Sequence, residues 1–376
     1  MSSPTTPILH WTENHLPHHA RWHSESRIPV PRRVIAADDR LTAATAHRLA
    51  CEGTALLWRG DYPNARQLLT AMGRRVDRKP VPAGGDPAQT FHLHRRARGH
   101  RARTLSRLLV LLDEDHTLDL RRAPDVRRAC AAAYGPSGGP MAVALSELLG
   151  VIGAFEWRRK GVPVPALGAR IHPHYGVFAP VRGEYADLVA RAPLPARHQT
   201  AFDLGTGTGV LAAILARRGV PQVVATDAGP RALACARENV QRLGLAGRIE
   251  VCGPVLFPEG RADLVVCNPP WLPGRPASAV EEGVYDPGGA MLHGFLDGLA
   301  AHLAPGGEGW LILSDLAEHL GLRSREQLMD AVRAAGLRVL GRLETRPRHP
   351  RAMDPADPLH RARAAEITSL WRLTAV

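Results

Sequence analysis

Apolar residues recur at helical spacing along the first part of the chain, from Leu41 to Trp58, Asn64 to Val76, Thr104 to Leu112, Pro124 to Ala133 and Met141 to Trp157. The pattern predicts a mainly helical domain over residues 39–160. Ahead of it, residues 1–38 hold Pro4, Pro7, Pro17, Pro29 and Pro31 with little periodicity, which predicts an extended or partly ordered lead-in. The segment from Gly161 to Gly168, with Pro163 and Pro165, marks the boundary to a second domain, residues 161–376. There the pattern changes to short β-rich runs: Thr200 to Leu204, Gln222 to Thr226, Arg248 to Val251, Leu264 to Val266, Trp310 to Leu313 and Leu337 to Glu344. Helices are expected between them, near Val210 to Arg218, Pro230 to Leu243, Met291 to Leu303 and Arg325 to Ala335. Such alternation predicts an α/β fold with a doubly wound parallel sheet, and Glu366 to Leu373 adds a last, antiparallel strand. The loop from Arg346 to Arg363 lies between the last two strands, as a substrate contact or an exposed connection.

Composition changes this picture in two places. No apolar stretch approaches the ~20 residues of a membrane span, and the polar N-terminus lacks the apolar core of a signal peptide, so a cytoplasmic protein is expected. The five cysteines form no Cys-x-x-Cys pair, and His10, His15, His18, His19 and His23 match no standard metal spacing, so no metal is expected. The net charge of +12 is unevenly spread: residues 1–160 hold 25 Lys and Arg against 15 Asp and Glu, and residues 161–376 hold 23 against 21. Only Lys79 and Lys160 are lysines, a bias that reflects coding composition. Arg95, Arg96, Arg98, Arg101, Arg103 and Arg107 form the densest run, either an anion-binding face or a solvated helix surface.

Candidate chemistry gathers where strands of the second domain end. Asp203-Leu204-Gly205-Thr206-Gly207-Thr208-Gly209-Val210 joins the first of these strands to its helix. Alternate glycines let the backbone turn sharply and admit a ligand against it, and the helix start offers unsatisfied amide hydrogens. A dinucleotide fingerprint would want its third glycine at position 210, where Val210 stands, so the spacing favours S-adenosylmethionine over NAD. Asp203 is then expected to face the ammonium end of that cofactor. Asp227, followed by Ala228, ends the next strand and can grip both ribose hydroxyls, cap the following helix, or do both. Asn268-Pro269-Pro270-Trp271 follows an apolar run from Ala262 to Cys267. Two prolines cannot extend a ladder, so they end the strand in a rigid corner that presents an amide, carbonyls and an aromatic ring to a planar amino group.

With these residues in place, the stretch from Ile171 to Val376 resembles the class I S-adenosylmethionine-dependent methyltransferases, in the branch that methylates amino nitrogens. It is most similar there to the glutamine methyltransferases of peptide release factors and related small-domain RNA guanine methyltransferases. The resemblance implies a Rossmann-like sheet and, from the segment Gly176 to Tyr185, cofactor contacts by Phe178, Arg182 and Glu184. Three departures stand out. Val181 separates Pro180 from Arg182, Val255 stands where relatives often carry an adenine-binding acid, and the segment Tyr285 to Gly289 is only loosely similar.

The functional expectation is methylation of a planar amino group on a macromolecule, a release factor-like protein or a ribosomal or other RNA, selected by the N-terminal domain. Two alternatives remain at this level. One is a small metabolite or peptide substrate under an N-terminal lid, and the other is a cofactor-binding module without turnover. Oligomeric state is not readable from these residues.

Overall fold

The computed structural model describes residues 7–82, 84–348 and 354–376. Residues 349–353, in the expected loop from Arg346 to Arg363, and the start of the expected lead-in, with Pro4, lie outside the described residues. The chain divides into two compact units, residues 1–83 with 92–156 and residues 84–91 with 157–376.

The N-terminal unit corrects the expectation of a mainly helical domain behind an extended lead-in. Six strands form one sheet: β1 (Ile8–Glu13), β2 (Leu16–Trp22), β3 (Arg33–Ala37), β4 (Thr54–Trp58), β5 (Leu108–Leu112) and β6 (Met141–Ala144), in the order β1-β2-β6-β5-β4-β3. Its helices are α1 (Ala43–Cys51), α2 (Tyr62–Val76), α3 (Pro87–Leu105), α4 (Arg127–Tyr134) and α5 (Leu145–Lys160). The presumed lead-in contains the β1–β2 hairpin, which turns at Asn14 and His15 with φ of 51° and 64°. Positive φ at both central residues suits the right-handed twist of the strands, and Asn and His tolerate it better than most residues. Three of the five expected helices hold a strand at one end, because Thr54–Trp58 and Met141–Ala144 are wholly buried and Leu108–Leu112 nearly so. A strand buried on both faces has no alternation, so its apolar run reads like part of a buried helix.

In the C-terminal unit the sheet contains β7 (Thr200–Leu204), β8 (Gln222–Thr226), β9 (Ile249–Cys252), β10 (Ala262–Cys267), β11 (Leu303–Ser314), β12 (Leu337–Thr345) and β13 (Thr368–Ala375). Their order is β9-β8-β7-β10-β11-β13-β12, with β13 antiparallel to both of its neighbours and the other pairs parallel. The last strand therefore inserts between β11 and β12. From β7 the chain winds to one side through β8 and β9, then crosses to β10 on the other side. This leaves a crevice at the carboxyl ends of β7 and β10, the place where doubly wound sheets bind ligands.

The helices of this unit are α6 (Glu184–Arg191), α7 (Val210–Arg217), α8 (Pro230–Arg242), α9 (Ala290–His302) and α10 (Arg325–Ala334), with shorter turns at 279–282, 316–319 and 360–365. Alternation along the strands fills two apolar layers. Ala201, Leu264, Val266 and Ile312 face one side with α6 and α7, and Phe202, Val265, Cys267 and Leu311 face the other with α9 and α10. Each fully buried aliphatic side chain stabilises such layers by about 1.5–3 kcal/mol relative to exposure. Local signals set the helix starts. Ser324 Oγ accepts from Gln327 N at 3.1 Å while Gln327 Oε1 accepts from Ser324 N at 2.8 Å, a reciprocal cap opening α10.

Candidate active site

The glycine loop leaves β7 with left-handed backbone at Gly205 (φ 70°), Gly207 (φ 56°) and Gly209 (φ 81°). Thr206 N donates to Thr226 O at 2.8 Å, which ties the loop to the end of β8. A Cβ on Gly205 would stand 2.3 Å from Met291 Cε, whereas one on Gly207 would meet nothing within 4 Å. Gly207 therefore presents bare backbone to open space, as a ligand cradle requires. The short helix α7 starts directly behind it.

Asp203 is 1% exposed, and its Oδ2 accepts from Thr206 Oγ1 at 2.6 Å and from Ala212 N at 2.9 Å. These bonds fold the loop and satisfy an amide in the first turn of α7. Burial pushes the Asp203 carboxyl up to about 6, against the lowering effect of both bonds, and the charge of Asp227 adds to the rise. The sequence reading missed this structural role; the signal was the Asp-x-x-Thr spacing at a strand end. Asp227 is half-buried beside the exposed Ala228, and its two oxygens accept separately, from Gly207 N at 3.0 Å and Gly229 N at 2.8 Å. Each carboxylate oxygen has a further lone pair for a hydroxyl donor. Across the loop, the ring of Phe257 stacks on His302 at 4.2 Å, and Val255 is exposed.

The six residues of β10 are all buried, and the chain breaks from the sheet at Asn268. Trp271 Nε1 donates to Asn268 Oδ1 at 2.9 Å, and the half-buried ring packs against both apolar layers. The indole thus fixes which way the Asn268 amide points. Beyond the corner, Leu272 N donates to Val284 O at 3.1 Å in a short parallel pairing of Leu272–Pro273 with Tyr285–Asp286. Asp286 is 5% exposed and accepts from Met291 N at 3.0 Å and Leu292 N at 3.1 Å, holding the start of α9. Met291 reaches back over Gly205, so one chain of contacts connects the proline corner with the glycine loop. Asp286 was missed as a positioning residue, although an acid just ahead of Pro287 and a helix start is a signal for such a cap.

Phe178, Arg182 and Glu184 have other neighbours. A Cβ on Gly283 would fall 2.8 Å from that of Phe178. Arg182 Nη1 lies 3.8 Å from Glu366 Oε1, and Glu184 Oε1 accepts from Arg348 N at 2.6 Å. Glu366 is 1% exposed, accepts from Ser314 Oγ at 2.7 Å, and has its carboxyl raised by burial. The Arg182–Glu366 contact thus lies at the carboxyl end of β11, where Ser314 stands. Among the described residues no group of three His, Cys, Asp or Glu side chains could hold a metal ion.

Residues 168–334, which carry the glycine loop, Asp227 and the proline corner, match the family model of the methyltransferase small domain. The C-terminal unit is thus similar to the methyltransferase small domain. A release factor glutamine methyltransferase of Cereibacter sphaeroides is 37% identical over 172 residues, 42% of this chain and 60% of that protein. Another from Moorella thermoacetica is 37% identical over 150 residues, 38% of this chain and 53% of that protein. A ribosomal protein L11 methyltransferase of Vibrio vulnificus is 36% identical over 108 residues, 28% of this chain and 37% of that protein. The chain thus spans 60% or less of these curated relatives.

The residues present suit S-adenosylmethionine as the cofactor. Gly207 leaves room against the main chain, Asp227 offers acceptors for ribose hydroxyls, and the buried charge of Asp203 favours a cationic end nearby. Among the described residues, no helix of the chain is long and apolar enough to cross a membrane.

Proposed function

We propose that the chain is an S-adenosylmethionine-dependent N-methyltransferase acting on a planar amino group of a macromolecule. The carrying observation is the Asn268 amide, oriented by Trp271 at the end of β10, next to the strand that bears the glycine loop. An amide or exocyclic base nitrogen is a poor nucleophile because its lone pair is delocalised. Asn268 Oδ1 keeps a second lone pair after accepting from Trp271, and the Pro269 carbonyl provides another acceptor. Together they accept hydrogen bonds from the two amino hydrogens and draw the nitrogen toward a tetrahedral shape, an interaction that strengthens as the reaction proceeds. One of these hydrogens leaves to solvent as a proton once the nitrogen has gained its methyl group. S-adenosylmethionine, when bound, supplies a methyl group already activated on a sulfonium. Asp227 and Gly207 would hold the nucleoside, and the Asp286 to Met291 contacts tie the corner to the glycine loop, so alignment would supply much of the rate.

The test is incubation of cell extract with methyl-labelled S-adenosylmethionine and purified protein, followed by separation of protein, RNA and small molecules. Label on an amino nitrogen of protein or RNA supports the proposal. Absence of protein-dependent label, or label confined to small molecules, overturns it.

A further inference from the structure

The C-terminal unit does not explain the arginine run. Helix α3 spans 19 residues without a single acid, and Arg96, Arg98, His100, Arg101 and Arg103 are exposed along it. Arg101 Nε pairs with Asp77 Oδ1 at 2.9 Å, and a Cβ on Gly73 would stand 2.8 Å from Arg101 Nη2. These contacts lash the later half of α3 to the end of α2, where Arg74, Arg78 and Lys79 are also exposed. Among the described residues, Arg96, Arg98, Arg103, Arg74 and Arg78 take part in no ion pair. Arg107 is only half-buried, and burial lowers its guanidinium pKa, which sets it apart from this surface.

We infer that the exposed face of α3 and the end of α2 is a docking surface for the phosphate backbone of RNA. Guanidinium forks match phosphate oxygens two at a time, and a row of them without intervening acids matches a polyanion better than a single ligand. An acidic protein is a weaker fit, because protein interfaces are anchored by buried aromatic or aliphatic side chains. Among the described residues, large exposed apolar side chains occur at Ile35 and Trp157 but at none between them. RNA fits better than duplex DNA because its loops and single strands already display the unstacked amino groups that the proline corner would take. The inference rests on the methyltransferase proposal for that last step alone.

The test measures binding of the full chain to a fluorescein-labelled 20-nucleotide RNA of mixed sequence by anisotropy, across sodium chloride concentrations. Duplex DNA of equal length and polyglutamate of equal charge serve as comparisons, and S-adenosylmethionine binding is followed by calorimetry in the same preparations. The wild type should bind RNA more tightly than either comparison. The triple variant Arg96→Gln, Arg98→Gln, Arg103→Gln should bind RNA at least roughly tenfold more weakly at 0.15 M salt, with a log–log salt slope shallower by about 2. Its affinity for S-adenosylmethionine should be unchanged, which shows that the fold is intact. Wild-type affinity and slope in the triple variant, or equal binding of polyglutamate or DNA, would overturn the inference. Loss of cofactor binding by the wild type while RNA binding persists would instead defeat the methyltransferase proposal.

Discussion

Asp203→Asn should make the protein more stable at neutral pH while leaving the glycine loop in place. The side chain is 1% exposed, and burial lifts its carboxyl from the ordinary value of 3.8 to about 6. The folded state therefore holds this proton up to about pH 6, whereas the unfolded chain releases it near the ordinary value. Between those pH values the folded state binds more protons, so stability falls as pH rises through the window and stays lower above it. A gap of about 2 between the two values corresponds to about 3 kcal/mol at pH 7.5. An asparagine oxygen can still accept from Thr206 Oγ1 and Ala212 N, but carries no charge to desolvate. Urea melts of cofactor-free protein should then show the variant about 1–3 kcal/mol more stable at pH 7.5. The difference should shrink by about 2 kcal/mol at pH 4.5, where most folded wild-type molecules are already protonated. A bound ammonium group gives the buried charge a use, so the same variant should bind S-adenosylmethionine more weakly. A stability difference that is flat with pH, or a variant less stable than the wild type at pH 7.5, would refute the electrostatic role given to Asp203.

Trp271→Phe keeps the packed ring but removes the indole donor to Asn268, and should lower turnover roughly tenfold with cofactor affinity within twofold. Turnover equal to the wild type would show that the amide needs no such orientation. Gly207→Val places a branched side chain at φ 56° in open space, costing about 1–2 kcal/mol of stability. Because that space is the cofactor cradle, calorimetry should show affinity reduced at least roughly a hundredfold; unchanged affinity would move the cofactor elsewhere. Glu308→Ala removes a paired carboxylate that holds Arg372 Nη2 at 2.6 Å and Trp310 Nε1 at 3.1 Å on adjacent strands. Denaturant melts should show a loss of about 2–4 kcal/mol with the cofactor site intact, and a loss below 0.5 kcal/mol would contradict the pairing.

The two units differ in how much of their structure the sequence reveals. Thr200–Leu204 and Gln222–Thr226 stand between turn-forming residues, with glycines and Asp227 ahead of the helices that follow, so local sequence marks their ends without help from tertiary contacts. Leu108–Leu112 and Met141–Ala144 abut helices with hardly a polar break, and their pairing with each other and with β4 and β2 makes them strands. In the site, glycine spacing and the proline pair are backbone constraints, hence visible in one dimension. The hold of Trp271 on Asn268 and the reach of Met291 over Gly205 depend on rotamers and long-range packing, which spacing does not encode. Asp203 shows the limit most plainly, since an acid at a strand end can face a ligand or fold its own loop, and burial decides its charge.

The central claim concerns the Asn268 amide as the acceptor that activates the amino nitrogen. Its most direct test is the single-turnover rate of methyl transfer by Asn268→Ala at saturating S-adenosylmethionine, with the acceptor identified from labelled extract. A rate lower by roughly 10²–10³ with cofactor affinity unchanged is predicted. A rate within threefold of the wild type would contradict it.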